Sequence, residues 1–297
     1  MERLQAALGA FRVQVTSNVR DSLHQLCAEA PAVLIVDPLS SGGGSEVLAL
    51  KHARGRDQEL PLLLVVDDEH TAAVLEGLRG LDLGLWDVIE RGASDAEYQM
   101  RVARLEGEGR VRREMRALRH RASHDDRTDL LRVEAFEGRL LEHFSAAQRH
   151  GLDLALVLID LDRFGAINKE HDHTIGDLVI AHVGEVVRRN LRTEDVAGRL
   201  GGDEFAVVLP YTRRADAARV VERLREEIKR ISGRPAGASQ DVLVSASIGF
   251  ETFDGQDMKG VSELRQHAER ALREAKRKGG NQVVYFRAID GTSPISG

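Results

Sequence analysis

The chain has 297 residues, 42% of them hydrophobic, which suits two folded domains and excludes a mainly disordered chain. Its 48 acidic residues outnumber 42 basic ones, and a net charge of -6 excludes a general nucleic-acid coat. The single cysteine, Cys27, excludes an intrachain disulfide and a cysteine zinc cage, and aromatics at 4% argue against a base-stacking platform.

Taken in chain order, residues 1–95 alternate helical and strand patterns. Glu2 to Ala10 reads as a helix, and Arg12 to Thr16 as a half-buried strand. Asp21 to Ala30 places Leu23, Leu26 and Cys27 on one helical face. Ala32 to Val36 and Pro61 to Val66 are continuous apolar runs ending at Asp37 and Asp67, so both read as buried strands. Between them Ser40 to Gly44 is a loop, and Val47, Leu48 and Leu50 open a short helix. Ala72 to Leu78 reads as a helix and Trp86 to Ile89 as a third strand, a pattern for a parallel sheet with helices on its faces.

Residues 96–122 form a charged connecting helix. Tyr98, Val102 and Leu105, then Val111, Met115 and Leu118, recur at three- and four-residue spacing. This is the stripe of a two-stranded coiled coil or, equally, of a solvated helix; Gly107 and Gly109 allow a break in it. Residues 123–290 read as α+β. Strands are expected at Leu154 to Ile159, Ala197 to Arg199, Phe205 to Leu209, Val242 to Phe250 and Gln282 to Phe286. Helices are expected at Asp177 to Asn190, Ala215 to Ile231 and Val261 to Arg277, with a loose tail at 291–297. No apolar run reaches membrane-span length. Glu2, Arg3, Gln5 and Arg12 interrupt any signal-peptide core, so a soluble cytoplasmic protein is expected.

Chemistry concentrates in two segments. An apolar strand ends in Asp160-Leu161-Asp162, and forty residues on stands Arg199-Leu200-Gly201-Gly202-Asp203-Glu204-Phe205. Two glycines at a hairpin tip let backbone approach a ligand. If the strands are neighbours, Asp160 and Asp203 converge on one hard cation, as oxygen-seeking magnesium requires. An isolated Gly-Gly-Asp-Glu is more often an ordinary acidic hairpin.

The hairpin does not stand alone. From Asp125 to Phe286 the order and spacing of motifs resemble the GGDEF family, the diguanylate cyclases. The resemblance implies a nucleotidyl-cyclase-like, ferredoxin-like core that joins two GTP molecules into cyclic di-GMP. It implies Mg²⁺ (or Mn²⁺) on Asp160, the Leu161 carbonyl and Asp203, with Glu204 as the supporting acid. Guanine would be read by Asn168 and Asp177, which as plain structure could instead cap a turn and a helix. Phosphate would rest on Lys276, the Phe164 backbone, Gly201 and Gly202. Arg192 and Asp195, with Arg223, resemble the family's inhibitory site for cyclic di-GMP, although an Arg and an Asp three apart are also a common surface pair.

The sequence departs from the family at three places. Gly165 and Gly280 replace a Lys and an Arg that contact phosphate, with Arg163 and Lys278 nearby in sequence. The opening motif Asp-x-Leu-Thr-Gly-Leu-x-Asn-Arg is degraded to Asp125 through Val133, which puts the wedge that opens the domain in question. An alternative follows: a weak or inactive domain that senses cyclic di-GMP or GTP. Residues 1–95 resemble, less specifically, a flavodoxin-like receiver domain. Asp37 stands where the phospho-acceptor would be, but the metal-binding acidic pair is missing and Arg91 replaces the usual Lys. Asp37 therefore reads as structural rather than phospho-accepting. The implied partners are a second copy of the chain and an input protein, such as a sensor kinase, at the N-terminal domain.

Overall fold

The structure, a computed structural model, describes residues 5, 7–9, 11–15, 21–22, 24, 31–37, 60–67, 69, 71–78, 84–233 and 241–291. Most of the expected helices at 2–10 and 21–30, the segment at 40–50 and the tail beyond 291 lie outside these residues. Two compact units are present, Met1–Arg119 and His120–Gly297.

In the first unit, β1 (Leu34–Val36), β2 (Leu62–Val66) and β3 (Trp86–Glu90) form a parallel sheet in that order. All five residues of β2 are buried, as its unbroken apolar run requires. Helix α1 (Thr71–Leu78) lies between β2 and β3 in sequence, as a parallel pair demands. Residues 12–15, expected as a strand, join no ladder among the described residues. Helix α2 (Asp95–Ser123) is continuous, without the break that Gly107 and Gly109 allowed. Gly109 is there for close approach, because a Cβ would sit 2.5 Å from the Pro61 ring. The first half of the expected stripe, Tyr98, Val102 and Leu105, is buried against Leu63, Val65 and Ile89.

In the second unit six strands order as β4-β6-β7-β5-β8-β9. They are β4 (Leu131–Arg132), β5 (Leu154–Leu161), β6 (Val196–Gly201), β7 (Glu204–Pro210), β8 (Ala246–Phe253) and β9 (Val283–Tyr285). Helices α3 (Val133–His150), α4 (Phe164–Arg189), α5 (Arg214–Lys229), α6 (Val261–Arg277) and α7 (Phe286–Asp290) complete it. Sequence reading placed nothing over 133–150, yet Phe136, Leu140, Phe144 and Ala147 are buried at near-four-residue spacing. Strand β8 begins at Ala246, four residues later than expected, and continues to Phe253.

Strand β5 is buried throughout and separates two cores by parity. Ala155, Val157, Ile159 and Leu161 pack with α4 and α5; Leu154, Leu156 and Leu158 pack with α3 and α6. Asp160 continues the second series, so its side chain falls on the α6 side of the sheet. Helix α6 lies tight on β8, because Gly249 has no Cβ that would otherwise meet the Leu272 amide nitrogen at 2.1 Å.

Helix α4 corrects a boundary. It begins at Phe164, not Asp177, so Asp177 is no N-cap. It is also not straight. A Cβ built on Gly176 would sit 1.9 Å from Asn168 Oδ1. Eight residues of straight helix would separate the two by about 12 Å. The segment therefore bends sharply between Asn168 and Gly176, and its two arms face each other.

Candidate active site

Register places the acids. Strands β5 and β7 run antiparallel with Asp160 opposite Glu204, and the Leu161 amide donates to the Asp203 carbonyl at 3.2 Å. Directly opposed residues present side chains to the same face. Asp203 sits in the turn between β6 and β7, where Gly201 (φ 149°) and Gly202 (φ 48°) take conformations that favour glycine. Asp160 is 6% exposed, Asp203 half-buried and Glu204 exposed. From α6, Lys276 Nζ reaches Asp160 Oδ2 at 2.6 Å. Burial pushes the Asp160 carboxyl above its ordinary range; Lys276 opposes the shift, and Asp203 and Glu204 reinforce it.

Among the described residues no three His, Cys, Asp or Glu side chains form a metal cage. Magnesium does not demand one. It is commonly held by one or two carboxylates plus substrate phosphates. Two carboxylates and a strand-end carbonyl, all hard oxygen donors, fit that mode.

The Phe164 backbone opens α4, and no side chain caps the helix at Arg163. The Ala166 amide already donates to the Arg163 carbonyl at 2.8 Å, which leaves the Phe164 and Gly165 amides at the helix start, where an anion is favoured. Asn168 Oδ1 is buried without a hydrogen-bond partner, while Asp177 Oδ2 lies 3.0 Å from Arg127 Nη2. The bend in α4 brings Asn168 against Gly176, beside Asp177.

Arg192, Asp195 and Arg223 gather at the loop between α4 and β6. The Arg192 amide donates to Asp195 Oδ2 at 2.8 Å, and Arg223 donates to the Asn190 carbonyl at 2.7 Å. Burial raises the Asp195 carboxyl, against the pull of the Arg192 amide.

Three contacts around the site were not expected from the sequence. Arg199 donates to both Asp125 oxygens, at 3.1 and 3.2 Å, and to the Gly202 carbonyl at 2.7 Å. It ties the hairpin tip to the turn that opens the domain. That turn is intact despite its degraded motif. Asp125 accepts from the Thr128 amide and hydroxyl, and Asp129 adopts φ 57°, a value Asp tolerates better than most residues. Burial would raise the Asp125 carboxyl, but its bonds from Thr128 and Arg199 outweigh this and hold it low. Second, Asp162 accepts from Ser245 Oγ (2.7 Å), Ser247 Oγ (2.6 Å) and the Asn281 amide (2.7 Å), so it fastens the 279–281 turn. The third is the Arg127–Asp177 pair. Their common signal was a charged residue one or two positions from a recognised motif residue.

The Diguanylate cyclase, GGDEF domain family matches residues 122–282. The chain belongs to this GGDEF family. Over 167 residues the chain is 36% identical to the bifunctional diguanylate cyclase/cyclic di-GMP phosphodiesterase MucR of Pseudomonas aeruginosa, covering 56% of the chain and 24% of the relative. It is 32% identical to the diguanylate cyclase DosC of Escherichia coli, over 57% of the chain and 36% of DosC. The response regulator PleD of Caulobacter vibrioides is 29% identical over 95% of the chain and 63% of its own length. The chain therefore spans less than two thirds of each of these relatives. Among solved structures, the coiled coil and GGDEF domain of DgcB from Caulobacter crescentus, in complex with c-di-GMP, matches 65% of the chain at 26% identity, with a TM-score of 0.58. The second unit thus carries the GGDEF fold, preceded in the chain by the three-stranded parallel sheet.

In the first unit, Asp37 at the end of β1 pairs with Arg91 at 2.6 Å, and Arg91 also reaches Asp67 at 2.8 Å. Among the described residues, no helix is long and apolar enough to cross a membrane.

Proposed function

We propose that this chain is a diguanylate cyclase, condensing two GTP into cyclic di-GMP with release of two pyrophosphates. The observation that carries the reading is the acidic set: Asp160 opposite Glu204, with Asp203 at the glycine turn between their strands. A divalent cation, Mg²⁺ or Mn²⁺, would be held by Asp160, the Leu161 carbonyl and Asp203, and would neutralise charge on the reacting phosphates. Asn168 and Asp177 then read guanine. Lys276, the hairpin glycines and the Phe164 amide seat phosphate, and Glu204 stands by the attacking 3′-hydroxyl. Each domain holds one GTP, so reaction needs two domains facing each other. Catalysis is mainly positioning and charge neutralisation.

The second copy is proposed to come through α2. Val111, Met115 and Leu118 are 55%, 45% and 57% exposed and spaced as a coiled-coil seam. We read residues 1–95 as a receiver-like domain that answers to an input protein. There Asp37 acts structurally through its ion pair with Arg91. The protein would work in the cytoplasm. Incubating a dimer-sized fraction with GTP and Mg²⁺ should yield cyclic di-GMP. No product from a verified dimer at millimolar GTP would refute the enzyme.

Arg192, Asp195 and Arg223 are proposed to bind the product and restrain turnover. Arg192→Ala should then straighten progress curves that otherwise bend as cyclic di-GMP accumulates. Added cyclic di-GMP should lose its inhibition by about tenfold, the weight of one charge-assisted contact. Curves identical to the parent's would remove this role.

A second reading has its own observation. Gly165 and Gly280 leave the triphosphate without two cations, which favours a domain that senses nucleotide without turning it over. Tight cyclic di-GMP binding in a calorimeter, with no product from GTP, would establish it.

A further inference from the structure

We propose that Arg127 is a guanine-specificity residue, which donates to the base's O6 while holding Asp177 against the N1/N2 edge. This rests on the reading of Asp177 as a guanine acceptor.

The family's opening motif has Leu at this position, and here it is Arg127. Its backbone is fixed. The Arg127 amide donates to Asp125 Oδ1 at 3.3 Å, and the Thr128 amide donates to the same oxygen at 3.0 Å. Asp125 is itself clamped by Arg199. From that turn the side chain crosses to α4 and places Nη2 3.0 Å from Asp177 Oδ2. Both side chains are about half exposed, at 54% and 48%, so the pair faces solvent where a base would enter.

Guanine's edge makes the rest follow. A carboxylate accepts from N1–H and N2–H, and O6 adjoins N1. A donor one hydrogen bond away from the carboxylate oxygen that takes N1–H is therefore within reach of O6. Guanidinium offers five donors in a rigid plane, so it can hold Asp177 and meet O6 together. Adenine presents an amino donor at that position and would meet Arg127 donor to donor. A leucine there offers neither effect. In a site with two phosphate cations missing, Arg127 returns binding strength through the base instead.

The test is a mutant-ligand cycle, read as equilibrium binding with Mg²⁺ present. The parent and Arg127→Leu, the family's own residue, are titrated with GTP, with 6-thio-GTP and with ATP. Sulfur at position 6 is a poor acceptor, so the parent should lose about tenfold in affinity on changing GTP to 6-thio-GTP. Arg127→Leu should bind GTP about tenfold more weakly, be nearly indifferent to the sulfur and discriminate less against ATP. Independent, additive losses, or tighter GTP binding by Arg127→Leu, would overturn the proposal. Tighter binding would show a plug on Asp177 rather than a reader of O6. Asp177→Ala separates the two levels of the argument. GTP binding that needs Asp177 but ignores Arg127 overturns the arginine's role alone. GTP binding that ignores Asp177 overturns the guanine-site reading and the arginine with it. An unchanged melting temperature for Arg127→Leu excludes a folding defect.

Discussion

Asp160→Asn is expected to abolish cyclic di-GMP formation while leaving the fold as stable as the parent's, or more so. The two effects separate because Asp160 does opposite things for fold and site. It is 6% exposed at the end of an otherwise apolar strand, opposite Glu204 and near Asp203. Burial and those two acids disfavour its charge, and Lys276 only partly offsets them. A buried carboxylate in such company is costly for the fold. Asparagine keeps the shape and still accepts from Lys276, so removing the charge relieves the fold. The site loses its deepest oxygen anion. Removing a group that stabilises transition-state charge typically costs about 10²–10³ in turnover. Asp203→Ala should be equally silent in the product assay, since it takes the other carboxylate.

The pH dependence checks the cause. A carboxyl whose folded pKa is raised contributes stability that is full below its unfolded pKa and is lost as pH rises through the folded value. The parent should therefore lose some stability as pH rises above the ordinary aspartate range. Asp160→Asn should lose less over the same window. Melting scans in steps from about pH 3.8, the ordinary aspartate value, up to pH 7.5 measure this, beside a product assay. Residual turnover above about a tenth of the parent's would refute the metal-ligand role. A collapse in melting temperature would show that Asp160 holds the strand end together, not the site.

How much of this was legible follows from which forces act locally. Most of strand β5 was readable because Leu154 to Ile159 are six consecutive apolar residues, too short a run for a typical buried helix, and the structure extends it to Leu161. The hairpin was readable because its two glycines and two acids are contiguous. The bend in α4 was not, because it shows only when Asn168 and Gly176 meet in space. Helix α3 carries its signal in Phe136, Leu140, Phe144 and Ala147, but exposed Leu141 interrupts the single apolar face that would mark it. The degraded opening motif put the wedge that opens the domain in question, and sequence alone does not show how its turn is held. There Asp129 accepts a backbone conformation usually given to glycine, and Arg199 supplies the clamp. The α2 stripe looked uniform in sequence but divides in the structure, its first half buried in the first unit and its second half exposed. Periodicity reports that a face is apolar, not what covers it.

The two missing phosphate cations are not equivalent, and restoring them one at a time should show it. Gly165 lies in the first turn of α4 with open space around its Cβ position. Gly165→Lys should fold like the parent. A gain in helix propensity of about 1 kcal/mol is offset by a positive charge near the helix N-terminus. It should bind GTP about tenfold more tightly, the strength of one partly screened charge-assisted contact. Gly280 is different. Its φ of 79° is unfavourable for any side chain, and a Cβ there would lie 2.8 Å from Asp162 Oδ1. Asp162 cannot simply move away, because Ser245, Ser247 and the Asn281 amide hold it. Gly280→Arg should therefore cost about 1–3 kcal/mol of stability, several degrees in melting temperature for a unit of this size, before its guanidinium gains anything. GTP titration and thermal unfolding of both variants decide the matter. Arginine at 280 that tightens GTP binding without lowering the melting temperature would show that the turn re-forms freely. If instead Gly165→Lys gains and Gly280→Arg loses, this chain has committed the turn after α6 to holding Asp162, and a stronger phosphate grip is open to it through α4 rather than through that turn.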